Sequence, residues 1–285
     1  NSSMKYVKLL RPQQWYKNLL VFLPLLFSGN LLNPTAIGQS LLAFASFCAL
    51  SSATYVINDY VDRNKDRLHP EKCNRPIASG AVGLVQALLI VIILSIIGFG
   101  TALLLPANFL IAALGYFTLS QLYTAWLKHE AFADILTIAV NFVIRATAGA
   151  FAIKVWVSPW LILGVFFLAL FLILGKRRSE VMLLQEKASS QRKTLASYTP
   201  EIVSRLSALT TTALVVCYTL FVFFGEHPLL YINLPIAIYT IFRYESFITT
   251  GNKTARHPEL VFTDWRMMTA IITWGILTFA VLYFY

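Results

Sequence analysis

The sequence predicts an all-α integral membrane protein crossing the bilayer nine times, with its N-terminus cytoplasmic. Composition is the first reason. The 285 residues are 58% hydrophobic and only 13% charged, with a mean hydropathy of +0.68, whereas soluble chains are about a quarter charged. Length is the second reason, because repeated apolar runs approach the ~20 residues that a spanning helix needs. The third is the placement of charge along the chain.

Apolar runs between charged, proline or glycine punctuation place the spans at 18–32, 37–60, 82–105, 108–127, 132–153, 157–175, 202–224, 229–249 and 265–285. The first is short and interrupted by Pro24. No glycine- or serine-rich linker and no clear repeat divides the chain, so residues 1–285 are expected to form one domain. Lys5, Lys8, Arg11 and Lys17 precede the first run and further spans follow it, which argues against a cleaved signal peptide. Asn1-Ser2-Ser3 ahead of Met4 reads as an expression remnant.

With the N-terminus inside, 21 of the 23 Lys and Arg residues fall on the inner segments or the helix ends beside them. Lys154 is outside and Arg145 lies within a span. That asymmetry sets the N-in, C-out orientation, with polar chemistry at the cytoplasmic face; the expected location is the cell (inner/plasma) membrane. It also removes nucleic acid as the explanation for the net charge of +10, since the cations follow a membrane face. Twelve of the 13 acids share the inner side. Acids take little part in the orientation rule, so a cation-dependent site is the economical reason for their clustering. Cys48, Cys73 and Cys217 form no CxxC or CxxH pair and suggest neither zinc nor disulfides.

The second span runs into Asn58-Asp59-Tyr-Val-Asp62-Arg63-Asn64-Lys65-Asp66-Arg67. On a continuous helix Asn58, Asp59, Asp62 and Asp66 share a sector of about 100°. Carboxylates so placed repel unless a cation separates them, and magnesium prefers to bridge carboxylates to substrate phosphates. Asp59, Asp62 and Asp66 are therefore the candidate Mg2+ ligands and Asn58 a fourth catalytic candidate. The loop that follows, Leu68 to Gly80, is shaped by Pro70, Pro76 and Gly80 and offers Lys72 and Arg75 to phosphate oxygens. Membrane-surface anchoring is the other role open to these two.

The spacing Asn58-Asp59-x-x-Asp62-x-x-x-Asp66 resembles the hallmark of the UbiA superfamily of intramembrane prenyltransferases. The resemblance implies a ring of nine helices around a central cavity open to the cytoplasmic side and to lipid. The chain is more similar still to the decaprenyl-phosphate phosphoribosyltransferase branch. Five features carry this: Arg11-Pro12-x-Gln14-Trp15-x-Lys17-Asn18; His69-Pro70 to Arg75-Pro76-Ile77-Ala78; Asn141-x-x-x-Arg145-Ala146-x-Ala148-Gly149; Gly175-Lys176-Arg177-x-x-Glu180 with Arg192-Lys193 to Tyr198; and Arg243-Tyr244 to Pro258-Glu259.

The branch implies Mg2+-dependent transfer of 5-phosphoribose from 5-phosphoribosyl 1-diphosphate to a polyprenyl phosphate, in the making of a lipid-linked pentose donor for the cell wall. Lys17 would be a phosphate contact at the cavity mouth. Lys176, Arg177, Arg192 and Lys193, with Glu180 among them, would meet the 5-phosphate or the lipid phosphate. Arg145, with Asn141 one turn earlier, is either a phosphate ligand or a structural partner. No histidine is needed as a base, because a phosphate nucleophile is already anionic.

Two other readings stay open. A prenyl-diphosphate transferase would share the fold and the first motif, but its usual second aspartate motif is missing, with no Asp between residues 135 and 263. A transporter would need polarity at both faces, and the outer side offers only Lys154 and Glu226.

Overall fold

The computed structural model describes residues 2–183 and 193–285, and among these the chain is helical with no strand. The α-helices in order are α1 (Ser2–Leu10), α2 (Leu23–Phe27), α3 (Pro34–Val61), α4 (Arg63–Arg67), α5 (Leu84–Ala102), α6 (Ala107–Ala125), α7 (Ala133–Ile153), α8 (Pro159–Leu183), α9 (Pro200–Phe224), α10 (Leu234–Thr249), α11 (Lys253–Arg256) and α12 (Trp265–Phe284). Short 3-10 segments join several of them. Among the described residues six helices are long and apolar enough to cross a membrane: α3, α5, α7, α8, α9 and α12. In lipid this is the expected solution, since a helix satisfies its own backbone hydrogen bonds.

Local chemistry sets the helix starts. Asn33 caps α3 by accepting from the amides of Thr35 and Ala36, with Pro34 in the first turn. Thr199 caps α9 through the Ile202 amide, and Asp264 caps α12 through the Met267 amide.

The remaining expected spans take other forms. Residues 18–32 do not make one long helix: a 3-10 segment, Pro12–Phe22, runs into the five-residue α2, and the chain turns at Gly29 (φ 77°). Pro24 in the first turn of α2 suits a helix start better than an interior. Helix α6 has spanning length but carries Asn108, Ser120, Gln121 and Thr124. Helix α10 is 16 residues long because the preceding Pro228–Asn233 is 3-10.

The helices gather into two compact units, residues 1–125 with 144–155, and residues 126–143 with 156–285. The first unit is built on α3. Phe47 lies edge-on to Phe109 and Tyr116 at centroid distances of 5.6 and 5.1 Å, and the Ser46 hydroxyl donates to the Gly98 carbonyl of α5 at 2.7 Å. Beyond that contact α5 leaves Leu88, Ile92 and Ile96 exposed, an apolar face suited to lipid.

In the second unit α8 packs on α9 and α10 through Phe171, Leu214, Tyr244 and Phe247. A polar chain ties α9, the Pro228–Asn233 turn that leads into α10, and α12: Tyr218 donates to Asn233 at 2.6 Å, and Asn233 donates to Thr278 at 2.7 Å. Interhelical bonds of this kind join helices where solvent offers no hydrophobic drive.

Candidate active site

The aspartate segment sits where α3 ends. The helix breaks at Asp62, which is both the C-terminal cap of α3 and the residue before α4. The single continuous helix assumed for these residues is thus two. Two of the three carboxylates, those of Asp59 and Asp66, still meet, through the loop. Nη1 of Arg75 donates to Asp59 Oδ1 at 3.1 Å and to Asp66 Oδ2 at 2.8 Å. Asp59 and Asp66 are 2% and 3% exposed, so each needs the partner it has. Asp62 is half-buried between them in sequence, and Asn58 accepts from the Thr124 hydroxyl of α6 at 3.4 Å.

Local bonds shape the Leu68–Gly80 loop. The His69 Nδ1 accepts from the amides of Glu71 and Lys72 at 3.1 and 3.2 Å. Partial burial, and then the Lys72 cation, push the His69 pKa below its usual value. Arg67 Nε donates to the Ala78 carbonyl at 3.1 Å, which closes the loop onto α4. Lys72 lies on the exposed side, in a short 3-10 turn.

A residue given no role from sequence completes this cluster. Nη2 of Arg11 lies 2.5 Å from Asp59 Oδ1, and its guanidinium stands 5.3 Å from the Tyr55 ring centroid. Arg11 has a left-handed backbone (φ 51°, ψ 57°), a conformation that costs energy for a residue other than glycine. The rest of its motif fixes it there. Trp15 Nε1 donates to Ser52 at 2.9 Å, and Ser52 donates to the Leu10 carbonyl at 2.7 Å. Lys17 follows in the same 3-10 segment, half-buried.

Arg145, 4% exposed on α7, is held by the other end of that motif. Its Nε donates to Asn18 Oδ1 at 2.9 Å and its Nη2 to the Tyr116 hydroxyl at 3.2 Å. The Tyr116 ring also lies beneath the guanidinium at 4.8 Å. Gly149, one turn on, makes the approach possible: a Cβ there would stand 2.1 Å from the Val21 carbonyl oxygen. The small residues Ala146, Ala148 and Gly149 thus bring α7 against the Pro12–Phe22 backbone. Asn141, one turn before Arg145, is half-buried on the same helix and falls within the second unit.

The second unit holds its own polar cluster. Gly175 lies against Ile248, with no room for a Cβ, and beyond it Lys176 points outward while Arg177 turns inward. Arg177 Nη2 lies 3.2 Å from Asp134 Oδ2, with side-chain exposures of 3% and 0%. Its Nη1 lies 3.3 Å from Glu180. The Tyr198 hydroxyl donates a short hydrogen bond to Asp134 Oδ1 and accepts from the Phe132 amide at 3.1 Å. Burial, reinforced by donation to Asp134, keeps the Tyr198 phenol protonated well above its ordinary range. Arg192 lies outside the described residues, and Lys193 opens a 3-10 turn, Lys193–Ser197.

Sequence reasoning passed over Arg11, Asn18, Asp134 and Tyr198. Arg11 and Asn18 were visible as the ends of one motif, and Asp134 as the last aspartate before a long stretch without one.

Among the described residues no group of three or more His, Cys, Asp or Glu is drawn together as ready metal ligands. The donor set nevertheless fits a hard cation. It is made of carboxylate oxygens, two of them buried, and a single positive nitrogen already bridges that pair.

The model of the UbiA prenyltransferase family matches residues 20–263. The chain belongs to that family. It is therefore a UbiA-family transferase and a multi-pass membrane protein.

Among its relatives, the decaprenyl-phosphate phosphoribosyltransferase of Corynebacterium glutamicum is 32% identical over 278 residues, spanning 94% of this chain and 83% of the relative. That of Mycobacterium tuberculosis H37Rv is 35% identical over 221 residues, 76% of this chain and 73% of the relative. The UbiA homologue of Archaeoglobus fulgidus, solved with GPP and Mg2+, superposes with a TM-score of 0.75 at 22% identity, covering 97% of this chain and 100% of that one. It shares this family's fold.

Proposed function

We propose that this transferase moves 5-phosphoribose from 5-phosphoribosyl 1-diphosphate to a polyprenyl phosphate, with Mg2+, at the cytoplasmic face of the plasma membrane. The observation that carries the reading is the pairing of a buried acidic cluster with relatives named decaprenyl-phosphate phosphoribosyltransferase along most of the chain. The one-sided basic map supports the cytoplasmic placement. The family match runs through both compact units, which supports reading the chain as one transferase domain with the nine-span family architecture.

In this reading Asp59, Asp62 and Asp66 hold Mg2+, and Asn58 orients the diphosphate beside them. Bound there, Mg2+ neutralises charge developing on the leaving diphosphate. A phosphate oxygen of the acceptor forms the new bond to the anomeric carbon from the face opposite the diphosphate. The carbon–oxygen bond to the diphosphate breaks, its electrons leave with that group, and the configuration inverts. The nucleophile is already ionised, so no side chain must take a proton, and positioning supplies much of the barrier reduction.

Lys17, Lys72 and Arg75 are suited to the diphosphate. Lys176, Arg192 and Lys193 are suited to the 5-phosphate or the lipid phosphate, and Arg177, paired with both Asp134 and Glu180, fixes the end of α8 that carries Lys176. Arg145 and Asn141 are each candidates for a phosphate contact.

The test is transfer by purified protein in detergent with Mg2+ and a polyprenyl phosphate. Product from phosphoribosyl diphosphate, lost in Asp62→Ala, supports the proposal. Product appearing instead from a prenyl diphosphate and an aromatic acceptor would move the enzyme to ordinary prenyl transfer within the same fold.

A further inference from the structure

The Asp59–Asp66 pair already holds a cation, and that cation belongs to the chain. One nitrogen of Arg75 reaches both carboxylates, and Arg11 adds a second guanidinium on Asp59 Oδ1. Two buried acids are thus matched by two arginines whose side chains are 21% and 25% exposed. The acids sit at the end of a transmembrane helix and beside it, whereas the arginines reach in from the pre-α3 segment and the Leu68–Gly80 loop, on separate stretches of chain.

We propose that Arg75, with Arg11, is an exchangeable counter-ion that makes metal and diphosphate bind together rather than in turn. The inference rests on reading the aspartates as the Mg2+ site. A bare divalent ion entering this cluster must displace two guanidiniums from buried carboxylates and leave them unpaired, adding two positive charges where Asp59 and Asp66 are already balanced one for one. Desolvated charges without partners are costly. A metal diphosphate brings its own acceptors. As the ion takes the carboxylates, the displaced guanidiniums pass to phosphate oxygens, for which a planar fork is well matched.

Arg75 therefore does two opposite things. It weakens binding of the ion alone and strengthens binding of the ion with diphosphate. It binds the diphosphate directly, and it keeps the aspartates from being filled by metal in the absence of donor.

The test is manganese binding to the purified protein in detergent, read by the electron paramagnetic resonance signal of free Mn2+, with and without inorganic diphosphate. The wild-type protein is expected to bind Mn2+ at least tenfold more tightly when diphosphate is present. In Arg75→Gln, Mn2+ alone should bind several-fold more tightly than in wild type, and the gain from diphosphate should shrink. Arg75→Lys, which keeps the charge without the fork, should fall between.

Equal wild-type affinity with and without diphosphate would overturn the inference, and this arm needs no folded variant. Unchanged or weaker binding of Mn2+ alone in Arg75→Gln would overturn it too. In either case, binding that disappears in Asp62→Asn leaves the metal reading standing. No Mn2+ binding under any condition would sink both.

Discussion

Arg177 Nη2 lies 3.2 Å from Asp134 Oδ2, and the two side chains are 3% and 0% exposed. A buried pair of this kind is strongly destabilised by removing one member, because the other charge is left without a partner. Asp134→Ala should lower stability by about 3–5 kcal/mol, seen as a fall in melting temperature in detergent. Replacing both residues by leucine and methionine should recover much of that loss. If the double variant melts no higher than Asp134→Ala, the pair is doing more than balancing charge.

Gly149 and the Val21 carbonyl oxygen leave no space between α7 and the Pro12–Phe22 segment. Gly149→Ala should cost about 1–3 kcal/mol, the usual range for overpacking, and more if the backbone cannot shift. Gly115 on α6 has nothing within 4 Å of where a Cβ would stand. Gly115→Ala is the matched control and should be neutral or slightly stabilising. Parallel thermal melts of the two variants decide this.

Asn18 accepts from Arg145 and donates to Ser51 at 3.2 Å, so its side chain links three elements of the first unit. Asn18→Leu should destabilise by about 1.5–3 kcal/mol, as expected for loss of a hydrogen bond to a charged group. Mn2+ affinity in the presence of diphosphate should stay within twofold of wild type, because Asn18 touches neither Asp59 nor Asp66. A large loss of Mn2+ affinity would instead join Arg145 to the metal cluster.

Asp264 bonds both nitrogens of the Arg243 fork, at 2.7 and 2.8 Å, and caps α12. The hydrogen bond from Arg243 lowers its pKa to about 2. A carboxyl whose folded pKa lies below the unfolded value of 3.8 contributes stability that is fully present above about pH 4. That contribution is lost as pH falls through about 2. With solvent screening it should be about 1 kcal/mol. Asp264→Asn should therefore melt lower than wild type at pH 7, and the gap should close between pH 4 and pH 2. A gap that persists at pH 2 would assign the effect to the cap alone.

The membrane class, the helical content and the acidic motif were legible because each rests on local composition. Asp59 at the end of an apolar run is costly wherever the chain goes next, and that alone marks it. The partners were not legible, because Arg11 lies 48 residues from Asp59 and Asp134 lies 43 from Arg177, and only tertiary packing joins them. Lys176 and Arg177 read alike as cations, yet consecutive helix positions differ by ~100°, which is enough to expose one and bury the other. The run at 18–32 read as a span because a 3-10 segment and an α-helix draw on the same apolar residues. What differs is the hydrogen-bond step, fixed there by Arg11, Pro24 and the docking of Trp15 on α3.

The central claim is that the group transferred is phosphoribose. The most direct measurement uses two preparations of phosphoribosyl diphosphate, one carrying 32P in the 5-phosphate and one in the terminal phosphate of the diphosphate. Each is incubated with enzyme, Mg2+ and a polyprenyl phosphate, then extracted into organic solvent. Phosphoribosyl transfer carries the 5-phosphate label into the organic phase and leaves the other in water as diphosphate. Both labels remaining in water, or the diphosphate label entering the lipid, would contradict it.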